Sequence, residues 1–163
     1  MPLANALIAE LELEGKSTLR MLERVPADKL DWTPHPKSLT LGRLAWHLVS
    51  IPSIAVRLMA EGKFDLKNGG PPPMPENPEF VETFRRNLSA IQTTLSAMDD
   101  DALKAPFVIS RNGDVLNETR KIIFIRSVLM NHSYHHRGQL SVYLRLLDVP
   151  LPAIYGTSAD EAM

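Results

Sequence analysis

Four long segments of this chain repeat apolar residues at intervals of three and four, and that spacing leaves little room for anything but packed helices. Leu3, Leu7, Leu11, Thr18 and Leu22 fall close to one face of a first helix predicted over Leu3–Arg24, with Ile8 and Leu19 beside them. Val25-Pro26 ends it, because a residue before proline is pushed out of helical geometry. The stretch from Asp28 to Lys37 contains Pro34 and Pro36 and has room for at most a short helical turn. A second helix, predicted over Thr40–Glu61, turns Leu41, Leu44, Leu48, Ile51, Ala55 and Leu58 inward. Ser38 or Thr40 can cap it, Pro52 removes the bond to the Leu48 carbonyl and is expected to kink it, and Gly62 is a natural stop. The third helix is expected to start with Asn77 as N-cap and Pro78 in the first position, then run through Val81, Phe84, Leu88, Ile91, Leu95 and Met98. The fourth is predicted over Glu118–Leu147, with a loosely structured tail from Asp148-Val149-Pro150 to Met163.

The connections sort these helices. Short links after the first and third suggest antiparallel neighbours. The link from Lys63 to Asn77 holds Gly69-Gly70 and prolines at 71, 72, 73 and 75, and reads as a long surface crossover. Phe107-Val108-Ile109 and Val115-Leu116 flank Asn112-Gly113, which is either a short hairpin or an ordered loop with a tight turn. The expectation is one all-α domain over residues 1–163, a four-helix bundle with a long connection between helices 2 and 3.

The fourth stripe is anomalous. It reads Ile122, Ile125, Leu129, His132, His136, Gln139, Tyr143 and Leu146, so three successive core positions are polar. Burying such groups is unfavourable unless each finds a partner. His132 and His136 lie one turn apart with rings pointing the same way, the arrangement of two histidines that share a metal ion. His135 sits roughly 60° off that face and fits the set less well. His47, on the edge of the second stripe, would on its own read as a satisfied interior histidine. With His132 and His136 it can complete a site of three nitrogens, which suits zinc, nickel, copper or iron(II). A bundle whose histidines are merely hydrogen-bonded core residues is the competing interpretation. The chain has no cysteine, so thiolate metal sites, disulfides and a cysteine nucleophile are excluded.

Two segments carry a family resemblance: Leu41-Gly42-Arg43-Leu44-Ala45-Trp46-His47 and His132-Ser133-Tyr134-His135-His136-Arg137-Gly138-Gln139-Leu140. With the helix order and the long second connection, they make the chain resemble the DinB/YfiT-like family of metalloenzymes. The resemblance implies an up-down-down-up bundle. It also implies a divalent transition metal on His47, His132 and His136, zinc or nickel first and iron or manganese as alternatives. It further implies a homodimer and a small-molecule substrate. Some relatives use a low-molecular-weight thiol in transferase or isomerase reactions. Here the sulfur would have to come from outside the chain, since no cysteine is present. The resulting expectation is a divalent-metal-dependent enzyme, a thiol-dependent S-transferase or a related small-molecule transferase or hydrolase, against the alternative of a non-catalytic metal-binding or stress-related bundle.

Supporting residues follow from position. Gln139, a turn beyond His136, can bond a metal-bound water or a ligating imidazole, or pair with another helix. Arg137 lies off the inward face and can bind an anionic substrate or pair with a carboxylate, and Arg43 reads the same way. Tyr134 and Tyr143 can line a pocket, Tyr143 with its hydroxyl at the core edge. Glu14 reads as solvated, His35 as having no ligand role, and Trp46 as core or site wall. A net charge of −1 gives no reason to expect a nucleic-acid partner. No apolar run is long enough for a membrane span, and Glu10, Glu12 and Glu14 stand where a targeting segment would be basic, so a cytoplasmic location is expected.

Overall fold

The computed structural model describes residues 2–68 and 70–162, apart from the side chain of Asn68. Helix α1 (Leu3–Leu22) buries Ala4, Leu7, Leu11, Thr18, Met21 and Leu22, and stops two residues before the predicted end. Its first N–H, at Leu3, donates to the Asp100 carboxylate at 2.8 Å, so a remote residue satisfies one of its orphan donors. After a 3₁₀ turn (Ala27–Lys29), α2 (Leu41–Glu61) opens on Thr40, whose hydroxyl accepts from the Arg43 N–H at 3.3 Å. It runs through Pro52 without interruption and closes on Gly62 with φ 69°.

The connection that follows is more ordered than expected. Strand β1 (Lys63–Asp65) and a 3₁₀ turn (Leu66–Asn68) come first; of the Gly69-Gly70 pair, Gly69 lies outside the described residues. Helix α3 (Phe80–Ser96) begins later than predicted, because its first helical bond runs from Thr83 N–H to the Glu79 carbonyl, which leaves Asn77 and Pro78 outside. A short helix α4 (Asp100–Lys104), capped by the Asp99 carboxylate on the Ala102 N–H, had no clear signal.

Strands β2 (Pro106–Arg111) and β3 (Asp114–Arg120) settle the hairpin-or-loop alternative in favour of a hairpin. Asn112 and Gly113 both take positive φ, 53° and 89°, the two-residue turn whose twist matches that of its strands. β1 joins β2 in parallel, giving a three-stranded sheet in the order β1-β2-β3. The Asp65 carboxylate fastens it by accepting the Asn112 and Gly113 N–H groups at 3.3 and 3.1 Å and the Ser110 hydroxyl at 3.1 Å. The Lys67 N–H, which also donates to Asp65 at 2.9 Å, is the first cause, with those donors, of an Asp65 carboxyl held below its ordinary range. The all-α expectation is therefore corrected: four main helices carry a small sheet, seated through Phe107, which stacks on Phe124 at 4.1 Å.

The fourth main helix is composite. It comprises α5 (Lys121–Phe124), a π-helical stretch (Ile125–Asn131) and α6 (His132–Leu146). The wider π turn shifts the phase. Phe124 before it, Ile125, Leu129 and Met130 within it, and Arg137, Leu140 and Leu144 after it are buried. The predicted stripe of His132, His136, Gln139 and Tyr143 thus slides off the core centre to its edge: Gln139 is exposed and Leu146 is 58% exposed. α1 packs against α3 and α6, and α2 against the same two, so the sequence neighbours α1 and α2 face each other across the bundle instead of side by side. The tail has no regular element, yet it is docked: Arg20 donates to the Ala153 carbonyl and pairs with Glu161, while Arg145 pairs with Asp160. Among the described residues no helix is long and apolar enough to cross a membrane.

Candidate metal centre

His47 reaches the site from α2, and the residues around it explain why that turn is rigid. The Leu41 and Gly42 N–H groups donate to the Trp32 and Leu30 carbonyls at 2.8 and 2.9 Å. A Cβ on Gly42 would stand 3.1 Å from the Leu30 oxygen, so only glycine allows this approach without displacing backbone. Leu44, Ala45 and Leu48 are fully buried and hold the helix face, and half-buried Trp46 donates from its indole to the Pro72 carbonyl at 2.9 Å. That bond ties the proline-rich connection to α2 one residue before His47.

His132 and His136 come from the first turns of α6, just beyond the π segment. The structure brings His47, His132 and His136 together: one ring nitrogen from each lies within 4.8 Å of the others. His47 Nε2 stands 3.3 Å from His132 Nε2, and His136 Nε2 stands 2.6 Å from His132 Nε2. His136 Nδ1 is 2.7 Å from Gln139 Oε1. An amide oxygen only accepts, so this contact places the proton on Nδ1 and leaves Nε2 bare toward the cluster. A backbone hydrogen bond to Val128 does the same service for His132.

All three imidazoles are half-buried, and the electrostatics favour their neutral, ligating form. Burial, then the neighbouring His136 and His132, brings His47 down to about 4. Burial lowers His132 as well, reinforced by His135. Burial lowers His136, with the bond to Gln139 opposing it. The donor set fits a transition metal. With metal–nitrogen bonds of about 2.0–2.1 Å, two ligands on a tetrahedral ion stand about 3.3 Å apart. The His47–His132 pair already has that spacing, 3.3 Å, while the His132–His136 pair, at 2.6 Å, has to open slightly.

A cavity of about 280 Å³ adjoins the cluster, with His47 and His132 in its wall beside Ile51, Ile54, Ala55, Leu58, Phe64, Leu66 and Val128. Phe64, Leu66 and Val128 were missed from sequence. The available signal for the first two was a pair of apolar residues in a link otherwise rich in Lys, Asp, Gly and Pro.

Other candidates take different places. His135 is exposed and its ring meets His136 edge-on at 5.0 Å, outside the three-nitrogen set. His35 accepts the Lys37 N–H in its loop, and Arg43 is exposed. Tyr143 donates its hydroxyl to the Leu39 carbonyl at 3.2 Å and meets Trp32 edge-on, so it packs at the core edge and lines no part of the cavity. Tyr134 instead bonds Glu10 at 3.1 Å.

Arg137 takes the carboxylate partner, from a deeper position than expected. It is 4% exposed, points away from the histidines, and pairs with Glu14 at 2.6 Å. The same guanidinium donates to the Glu14 carbonyl, Thr18 and Tyr155 and lies over the rings of Tyr134 and Tyr155. Of its two readings the carboxylate partner is the one observed, and Glu14, its side chain 13% exposed, is partly buried rather than solvated. The π segment is the reason: it rotates position 137 into the core.

A helical bundle with three histidines converging from two helices beside an apolar cavity defines a class of candidate metal-dependent proteins. A sequence model of the DinB superfamily matches residues 10–140, and the chain belongs to that superfamily. YrdA of Bacillus subtilis is 26% identical over 155 residues, covering 92% of this chain and 86% of YrdA. The crystal structure of a DinB-like protein from Bacillus cereus superposes with a TM-score of 0.74 at 24% identity, covering 94% of this chain and 98% of that one. The DinB-like protein YjoA of Bacillus subtilis follows with a TM-score of 0.71 at 15% identity, covering 90% and 96%. At these identities the structural likeness speaks for the fold.

Proposed function

We propose that this chain is a divalent-metal-dependent enzyme that transfers a group between small molecules, with His47, His132 and His136 as metal ligands. The observation that carries the reading is the convergence of the three ring nitrogens beside a cavity whose wall includes His47 and His132. Zinc or nickel suits three imidazoles best, with iron or manganese next. When bound, such an ion supplies an electrophilic centre that acidifies a coordinated water or thiol.

The chain's own residues do the positioning. Gln139 holds His136 in the tautomer that presents Nε2, and the buried face of α2 fixes His47. A low-molecular-weight thiol is the co-substrate we favour. In that reaction a new bond forms from the thiol sulfur to an electrophilic carbon, the leaving group departs with its bonding pair, and the thiol proton passes to solvent. The lack of cysteine agrees with an external sulfur. The adjoining cavity favours an enzyme over a module that only stores or senses metal.

Metal analysis of protein purified without an affinity tag tests this. About one equivalent of a transition metal is expected. Less than about a tenth of an equivalent, with no metal-induced rise in Tm, contradicts it.

A further inference from the structure

The cavity beside the histidines has a chemistry of its own. Among the described residues its wall holds no charged side chain and no hydroxyl, and apart from His47 and His132 it is hydrocarbon. An ion or a sugar entering it would lose hydration without replacement, whereas an alkyl or phenyl group would be favoured there. The far wall is fixed: Phe64 belongs to β1, which is paired to β2, and its ring meets Phe124 edge-on at 5.8 Å. Leu66, 39% exposed, stands where the wall meets solvent. Val128 comes from the π stretch, a turn before His132, so the turn that sets the phase of the histidines also supplies part of the wall. At about 30 Å³ per atom, the share of a water in the liquid, the volume takes at most about nine heavy atoms.

We propose that this cavity seats the hydrocarbon part of an uncharged substrate, a short alkyl or phenyl-sized group of about six to nine heavy atoms, with its polar end directed at His47 and His132. The proposal rests on the metal-centre reading for what happens at that polar end, and on the cavity alone for what binds.

Binding of a series of 1-alkanols, from propanol to decanol, to the full-length protein by titration calorimetry tests it, with metal content measured on the same samples. Affinity is expected to rise about fourfold per methylene. It should level off beyond about nine carbons, where the cavity is full. Ile54→Trp, which fills the space from a half-buried position, and Leu66→Glu, which places a charge at the exposed edge, should each weaken octanol at least about tenfold at unchanged metal content. Two variants guard against a folding defect in either one. An affinity independent of chain length, or unaltered by both substitutions, overturns the proposal whether or not metal is present. A chain-length dependence that both substitutions abolish, in protein that holds no metal, upholds the cavity and removes the metal reading.

Discussion

His136 and Arg137 are consecutive residues on α6, yet the two sides of the helix solve opposite problems. On one side the Arg137 guanidinium meets Glu14, Thr18 and Tyr155, and no buried side-chain polar atom among the described residues lacks a partner. On the other side ring nitrogens of three imidazoles converge within 4.8 Å, with the Nε2 atoms of His132 and His136 only 2.6 Å apart. Fully partnered polar groups specify a structure, and a saturated cation has nothing left to offer a substrate. Converging lone pairs are unfavourable until a cation or proton sits between them. The contrast teaches that polarity in a core is not itself a mark of function; unspent donor capacity is.

Four variants sharpen or break this contrast. Arg137→Met should have the largest effect on stability, about 3–5 kcal/mol by urea denaturation, because the partly buried Glu14 is left without its cation. Metal content in the folded fraction should not change. An effect under about 1 kcal/mol would mean that the pair is solvated and the contrast false. His136→Ala should reverse the pattern: metal binding is lost, while the metal-free protein stays within about 1 kcal/mol of the parent, since the ring is only half-buried.

Gln139→Ala should weaken metal affinity about 10–100-fold with little change in fold, through loss of the bond that orients His136. Tyr155→Phe should have the smallest effect, about 1 kcal/mol, since the hydroxyl bonds Arg137 and Glu14 while the residue is 73% exposed.

The histidines also set a pH dependence. His47 titrates near 4 when folded and near 6.5 when unfolded, so between these values the unfolded chain binds more protons. Metal-free protein should therefore lose stability as pH falls from about 6.5 toward about 4. His47→Phe should flatten that slope in denaturation curves recorded across the window. An unchanged slope would place the titration elsewhere.

Much of the site was legible because histidines at positions 132 and 136 interrupt an otherwise apolar stripe, and because Asn112-Gly113 demands a turn. The phase of α6 was not. Nothing local in Ile125–Asn131 marks a π segment: it holds no proline or glycine, and the wider turn comes from how its side chains pack. One added residue in the turn moved Arg137 inward and Gln139 outward, which periodicity alone could not register. β1 was invisible for a related reason, since three residues carry no alternation, and its pairing depends on a hairpin far along the chain.

The central claim is that the three histidines hold one metal ion beside the cavity. Diffraction from crystals of untagged protein, recorded above and below the absorption edge of the metal found by elemental analysis, tests it most directly. The account predicts one anomalous peak about 2.0–2.3 Å from a ring nitrogen of each of His47, His132 and His136. A peak elsewhere, or ordered imidazoles hydrogen-bonded to one another with no peak between them in protein saturated with metal, would contradict it.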